Sequence, residues 1–91
     1  MTDMGETVEH RAVSPEFTKQ VGKNVRAAMK AAEPRVLQAT VAEWLGLSQG
    51  AVWKRLEGQT LWTVGELVVV ARRLGTSIDD LLAGIGDVAA A

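Results

Sequence analysis

The sequence predicts an all-α fold, a compact domain of five helices. Three observations predict it. Apolar residues recur at helical i, i+3/i+4 spacing along the chain, from Val21, Val25 and Met29 to Leu67, Val70, Ala71 and Leu74. Hydroxyl side chains stand where helices should begin, at Ser14, Ser48, Thr63 and Ser77, because an oxygen there accepts from the free N–H groups of a first turn. Glycines stand where helices should end, at Gly46 and Gly75, since glycine takes the left-handed conformation of a C-terminal cap without steric cost.

Residues 1–13 are polar and without period and read as an N-terminal tail, to which the single histidine, His10, belongs as a solvated residue. Ser14-Pro15-Glu16 opens the first helix with a capping hydroxyl, a proline at the first helical position and an acid in the positive first turn. That helix should run to Ala32, with Phe17, Val21, Val25, Met29 and Ala32 as its apolar stripe and Lys19, Lys23, Arg26 and Lys30 off it. Pro34 disfavours helix at Glu33 and sets the break.

Residues 38–57 then read as two short helices about a turn. Val41, Ala42 and Leu45 give the first an apolar side, and Val52 and Leu56 give one to the second. Gly46 ends the first, Ser48 caps the second, and Leu47 pins the turn to the core. Ala42 is small where two helices joined so closely must cross. This is the pattern of a helix-turn-helix, whose second helix enters the DNA major groove. A fourth helix follows Thr63-Val64-Gly65-Glu66, a capping box, with Trp62 as a core residue stapled on Leu67. A short fifth helix starts at Ser77-Ile78-Asp79-Asp80 and buries Ile78, Leu81 and Leu82, its two aspartates favoured by the N-terminal dipole. The domain thus spans 14–84, and 85–91 form an apolar C-terminal tail.

Gln38, Ala42, Gly46, Leu47-Ser48-Gln49, Val52 and Gly58 together resemble the lambda repressor/Cro family of phage and bacterial regulators, over roughly residues 17–83. Two positions depart from the family pattern. Arg55 stands where the family usually has an apolar residue, a role that Leu56 takes here. Leu37 stands where a Ser or Thr cap is common, so the second helix either opens at Gln38 or begins earlier, with Pro34 in its first turn.

At 91 residues, 47% hydrophobic and 23% charged, the chain suits one small domain. It has no cysteine, which excludes disulfides and thiolate metal sites and suits a reducing compartment. Asp3, Glu6 and Glu9 sit where a signal peptide would be basic and then apolar, and runs such as 67–71 are too short for a bilayer. A cytoplasmic location without a membrane partner is expected. The net charge of −1 hides an asymmetry. Between Phe17 and Leu56 lie Lys19, Lys23, Arg26, Lys30, Arg35, Lys54 and Arg55 against only Glu33 and Glu43, and a local field of this kind steers a polyanion whatever the total charge.

With Val52 and Leu56 turned inward, Gln49, Gly50, Trp53 and Lys54 lie on the outer side of the third helix. These are the expected base-reading residues. The Gln49 amide can donate and accept in one plane against adenine, Lys54 can reach a guanine or a phosphate, and Gly50 lets the helix approach closely. Trp53 either presses on a thymine methyl or deoxyribose, or covers a neighbouring helix. Trp44, on the outer side of the second helix, is a packing or interface residue. The resemblance makes Gln38 a phosphate clamp, and Arg55, Gln59 and Thr60 are further phosphate candidates.

The function this implies is a sequence-specific double-stranded DNA-binding transcriptional regulator, a phage-type repressor or Cro-like protein. The alternatives are an antitoxin-like protein-interaction module and a DNA-binding excision or recombination factor. No nucleophile-base pair, metal cluster or phosphate-binding glycine loop argues for an enzyme, and no cofactor or small-molecule substrate is expected. A weak homodimer on near-palindromic DNA is expected, through the fifth helix with Ile85 and Val88.

Overall fold

The computed structural model describes residues 15–85, which form five α-helices and no strand. The first, α1, is Pro15–Ala31, one residue short of the expected end. Its buried face is Thr18, Val21, Gly22, Val25 and Met29. The stripe is therefore set slightly differently from the apolar pattern, since Phe17 and Ala32 are only half-buried while Thr18 and Gly22 are inside. Beyond α1 the chain passes through a cis Glu33–Pro34 peptide and is tied back by Val36 N–H donating to the Met29 carbonyl at 3.0 Å.

The second helix, α2, is Gln38–Leu45, and the third, α3, is Gln49–Leu56. Pro34 lies outside α2, so of the two possible starts the chain takes Gln38. Leu37 occupies the cap position without a side-chain bond. Gly46 adopts φ 66°, and its N–H and that of Leu47 both return to the Ala42 carbonyl, which closes α2 and aims the chain into α3. The Ser48 hydroxyl accepts from Ala51 N–H at 3.1 Å, so only three residues separate the helices and each has a structural task.

The fourth helix, α4, is Val64–Leu74. Both halves of its capping box form: Thr63 accepts from Glu66 N–H, and the Glu66 carboxylate accepts from Thr63 N–H. Gly75 ends it at φ 69°. The fifth, α5, is Ile78–Leu81, capped by Ser77. Within it only Leu81 is fully buried, while Ile78 and Leu82 are half-buried against the core. Asn24 of α1 fastens this end of the chain by donating to the carbonyls of Leu81 and Ala83 at 2.9 and 2.8 Å.

Val25, Val41, Val52, Val70 and Leu81 are completely enclosed, one from each helix. The core is thus a single meeting point of all five elements, and removing methyl groups from any of these costs on the order of 1–3 kcal/mol. Trp62 lies within the same cluster, as expected, and its indole N–H has no acceptor among the described residues, so its contribution is buried area. Ile85 also packs against this cluster. It is therefore engaged by the core, contrary to the expectation that it is left over for a dimer contact; Val88 and the rest of 86–91, like Ser14 and His10, lie outside the described residues. Among the described residues no helix is long and apolar enough to cross a membrane.

Candidate nucleic-acid interface

In α3 the inward residues Val52 and Leu56 are buried, Ala51 and Arg55 are half-buried, and Gln49, Gly50, Trp53 and Lys54 are exposed. All four base-reading candidates therefore share one outer face. Among the described residues the side chains of Gln49, Trp53 and Lys54 form no hydrogen bond or ion pair. Trp53 is 43% exposed, a large apolar surface to leave in water. Gly50 is not required by packing, because a Cβ there would meet nothing nearer than its own helix cap, Ser48 Oγ, at 3.9 Å.

Gln38 stands at the start of α2 and donates from its side-chain amide to the Gln49 carbonyl at 3.0 Å. This bond ties the N-terminal ends of α2 and α3 together. Both positive helix ends then lie side by side. No side chain caps α2: Thr40 and Val41 N–H donate to the Leu37 carbonyl, and the N–H groups of Gln38 and Ala39 have no acceptor among the described residues. At the other end of α3, Gln59 and Thr60 N–H donate to the Lys54 carbonyl, folding the following turn back onto the helix. Gln59 is exposed and Thr60 half-buried.

Arg55 departs from expectation. Its guanidinium makes a bidentate pair with Glu66 of α4 at 2.9 and 3.1 Å and also donates to the Ala51 carbonyl. With 14% and 16% side-chain exposure, the two partners are held inside the α3–α4 joint. Arg55 is thus a strut rather than a free phosphate contact. This is why a charged residue is tolerated where the family resemblance calls for an apolar one: Glu66 neutralises it, and that partner was concealed in the capping box. Burial pushes the Glu66 carboxyl up, but the hydrogen bonds from Arg55 and Thr63 and the Arg55 charge outweigh it, and the group is held below its ordinary value.

The remaining cations divide by position. Arg26 pairs with Glu57 at 2.8 Å, and with Lys19, Lys23 and Leu56 these two line a groove of about 300 Å³ at the C-terminal end of α3. Cations there complement the negative end of the helix. Arg35 lies exposed three residues before Gln38.

Sequence reasoning missed what holds α1 against α3. Thr18 donates its hydroxyl to the Gly58 carbonyl at 2.7 Å, and Gly22 lies so close to α3 that a Cβ would fall 2.3 Å from the Leu56 carbonyl oxygen. The available signal was their spacing: positions 18, 22, 25 and 29 are themselves one helical stripe. Trp44 is half-buried against the core, with the Arg73 guanidinium 5.8 Å from its ring centroid, a cation–π contact away from the outer face of α3.

Comparison with protein-family models, curated proteins and solved structures finds no match to this chain. The functional reading rests on the residues themselves.

Proposed function

We propose that this chain is a sequence-specific duplex-DNA-binding regulator of the lambda repressor/Cro type, with α3 as the helix that enters the major groove. One observation carries the reading: α3 presents a side that the protein itself leaves unused, with an amide, a glycine, an indole and an ammonium group exposed together and cations beside its C-terminal end. An amide and an ammonium are the groups that read base edges, and a short helix without bulk in its first turn fits the width of the groove. Gln38 and the uncapped start of α2 are the backbone-anchoring elements. The reading requires no catalytic group and no cofactor.

Titration of duplex sites from the host replicon tests this. Lys19, Lys23, Lys30, Arg35 and Lys54 are exposed and, among the described residues, outside ion pairs. If these five meet phosphates, log K falls against log salt with a slope of about −4 to −5. Lack of binding even at low salt removes the proposal.

Base reading and fold are separable. Gln49→Ala is expected to cost about 1–2 kcal/mol on the specific site and little on random duplex, with an unchanged melting curve. Gly50→Ala makes the sharper contrast. It should stabilise the folded chain by up to about 1 kcal/mol, because alanine is the better helix former and the space is open. It should nevertheless weaken specific DNA binding, since the added methyl meets the duplex. Calorimetry and binding isotherms on the same preparations check both, and a Gly50→Ala variant that binds DNA unchanged would place the close approach elsewhere.

A further inference from the structure

All three nitrogens of the Arg55 guanidinium are engaged inside the protein. Nε and Nη2 donate to the two carboxylate oxygens of Glu66 at 2.9 and 3.1 Å, and Nη1 donates to the Ala51 carbonyl at 3.1 Å. Its neighbour Lys54 is exposed and, among the described residues, outside ion pairs. Of the two cations of α3, one is therefore presented to solvent and the other is withheld. The withheld one stands beside the turn that carries Gln59 and Thr60, whose N–H groups return to the Lys54 carbonyl. The pair has a second consequence. Because α3 lies chiefly against α1 and α2, the Arg55–Glu66 bonds are its polar link to α4 among the described residues. An apolar residue at this position would fill the joint without either effect.

We propose that Glu66 sets the ratio of specific to random DNA binding, by withholding Arg55 from phosphate and by fixing the rotation of α3 against α4. The inference rests on the DNA-binding reading and names a determinant of selectivity within it. A phosphate contact carries no sequence information, so a free Arg55 would strengthen binding to every duplex alike. Pairing with a carboxylate removes that attraction and leaves the base edges to decide. The same pair holds α3 at the rotation that turns Gln49, Gly50, Trp53 and Lys54 outward together, and a recognition surface tolerates little misalignment. Loss of Glu66 thus acts in two directions: random binding rises while specific binding falls.

Fluorescence anisotropy of the full chain, on a duplex selected from the host replicon and on a random duplex of equal length, tests this at a temperature where circular dichroism shows every variant folded. Glu66→Ala should bind random duplex about threefold more tightly, with a slope of log K against log salt steeper by about 0.9 for one added phosphate contact. Its ratio of specific to random affinity should fall about tenfold. Glu66→Gln should lie between, since the amide oxygen can still accept from Thr63 N–H, and it carries the test if the alanine variant does not fold. The double variant Arg55→Ala/Glu66→Ala should lose both the gain on random duplex and the added slope. That loss would identify the freed guanidinium, rather than the missing carboxylate charge, as their source. A role in stability alone would lower both affinities together at an unchanged slope, and that result overturns the proposal, as does a double variant that keeps the gain. A wild type that discriminates between the duplexes while Glu66→Ala keeps the same ratio overturns this inference and leaves the DNA reading standing. A wild type that binds no duplex removes both.

Discussion

Replacing Gly22 by valine is expected to abolish the cooperative thermal transition of this domain. Gly22 lies where α1 crosses the last turn of α3, and the Cβ of any other residue would fall 2.3 Å from the Leu56 carbonyl oxygen and 2.9 Å from that of Arg55. These are backbone atoms, fixed by the helix, so the strain cannot be relieved by a rotamer change. The helices must separate. Separation also breaks the bond from the Thr18 hydroxyl to the Gly58 carbonyl and opens the packing around Val25 and Val52, both fully enclosed. Gly22→Ala, with a single added carbon, should already cost about 3 kcal/mol, since overpacking a tight contact outweighs the gain of less than about 1 kcal/mol in helix propensity. Against a total stability of about 5–15 kcal/mol for a small domain, the branched side chain exceeds what can be absorbed. Circular dichroism melts of the two variants check the order, and a Gly22→Ala protein as stable as the wild type would show that α1 can move off α3 freely.

The same crossing marks the boundary of what could be read in the sequence. Local devices were legible because the partners lie within a few residues of one another: the left-handed glycines 46 and 75, the Ser48 and Ser77 caps, and the Thr63–Glu66 box all form where the pattern places them. The outward side of α3 was legible too, because once Val52 and Leu56 face inward the helical period fixes where Gln49, Gly50, Trp53 and Lys54 point. Contacts between distant residues were not. Thr18 with Gly58 and Asn24 with Leu81 join residues about forty and sixty positions apart, and neither member of either pair carries a mark of its partner. Glu66 was recognised for its local task alone. Its second task depends on how α3 lies against α4, which no periodicity states.

Arg55→Ala is expected to lower the stability of the folded chain by about 2–3 kcal/mol, because removing one member of a largely enclosed ion pair strands the other. The sequence makes Arg55 a phosphate candidate, and its place in this pair gives it a structural task instead. Glu66 would keep the Thr63 N–H as a donor but lose both hydrogen bonds from the guanidinium. Glu66→Gln should cost slightly less, since the amide oxygen still accepts from Thr63 and from one guanidinium nitrogen. The double variant should cost less than the sum of the two, as coupled partners do. Acid gives an independent reading of the same pair. The Glu66 carboxyl is held below its ordinary value of 4.5, so its contribution is fully present above that value and is lost as pH falls through the lower value of the folded state. The stability difference between wild type and Glu66→Gln should therefore be constant near neutrality and shrink progressively below about pH 4.5. Chemical denaturation across that range measures it. A difference that is the same at pH 3 as at pH 7 would mean that Glu66 does not titrate as a paired carboxylate.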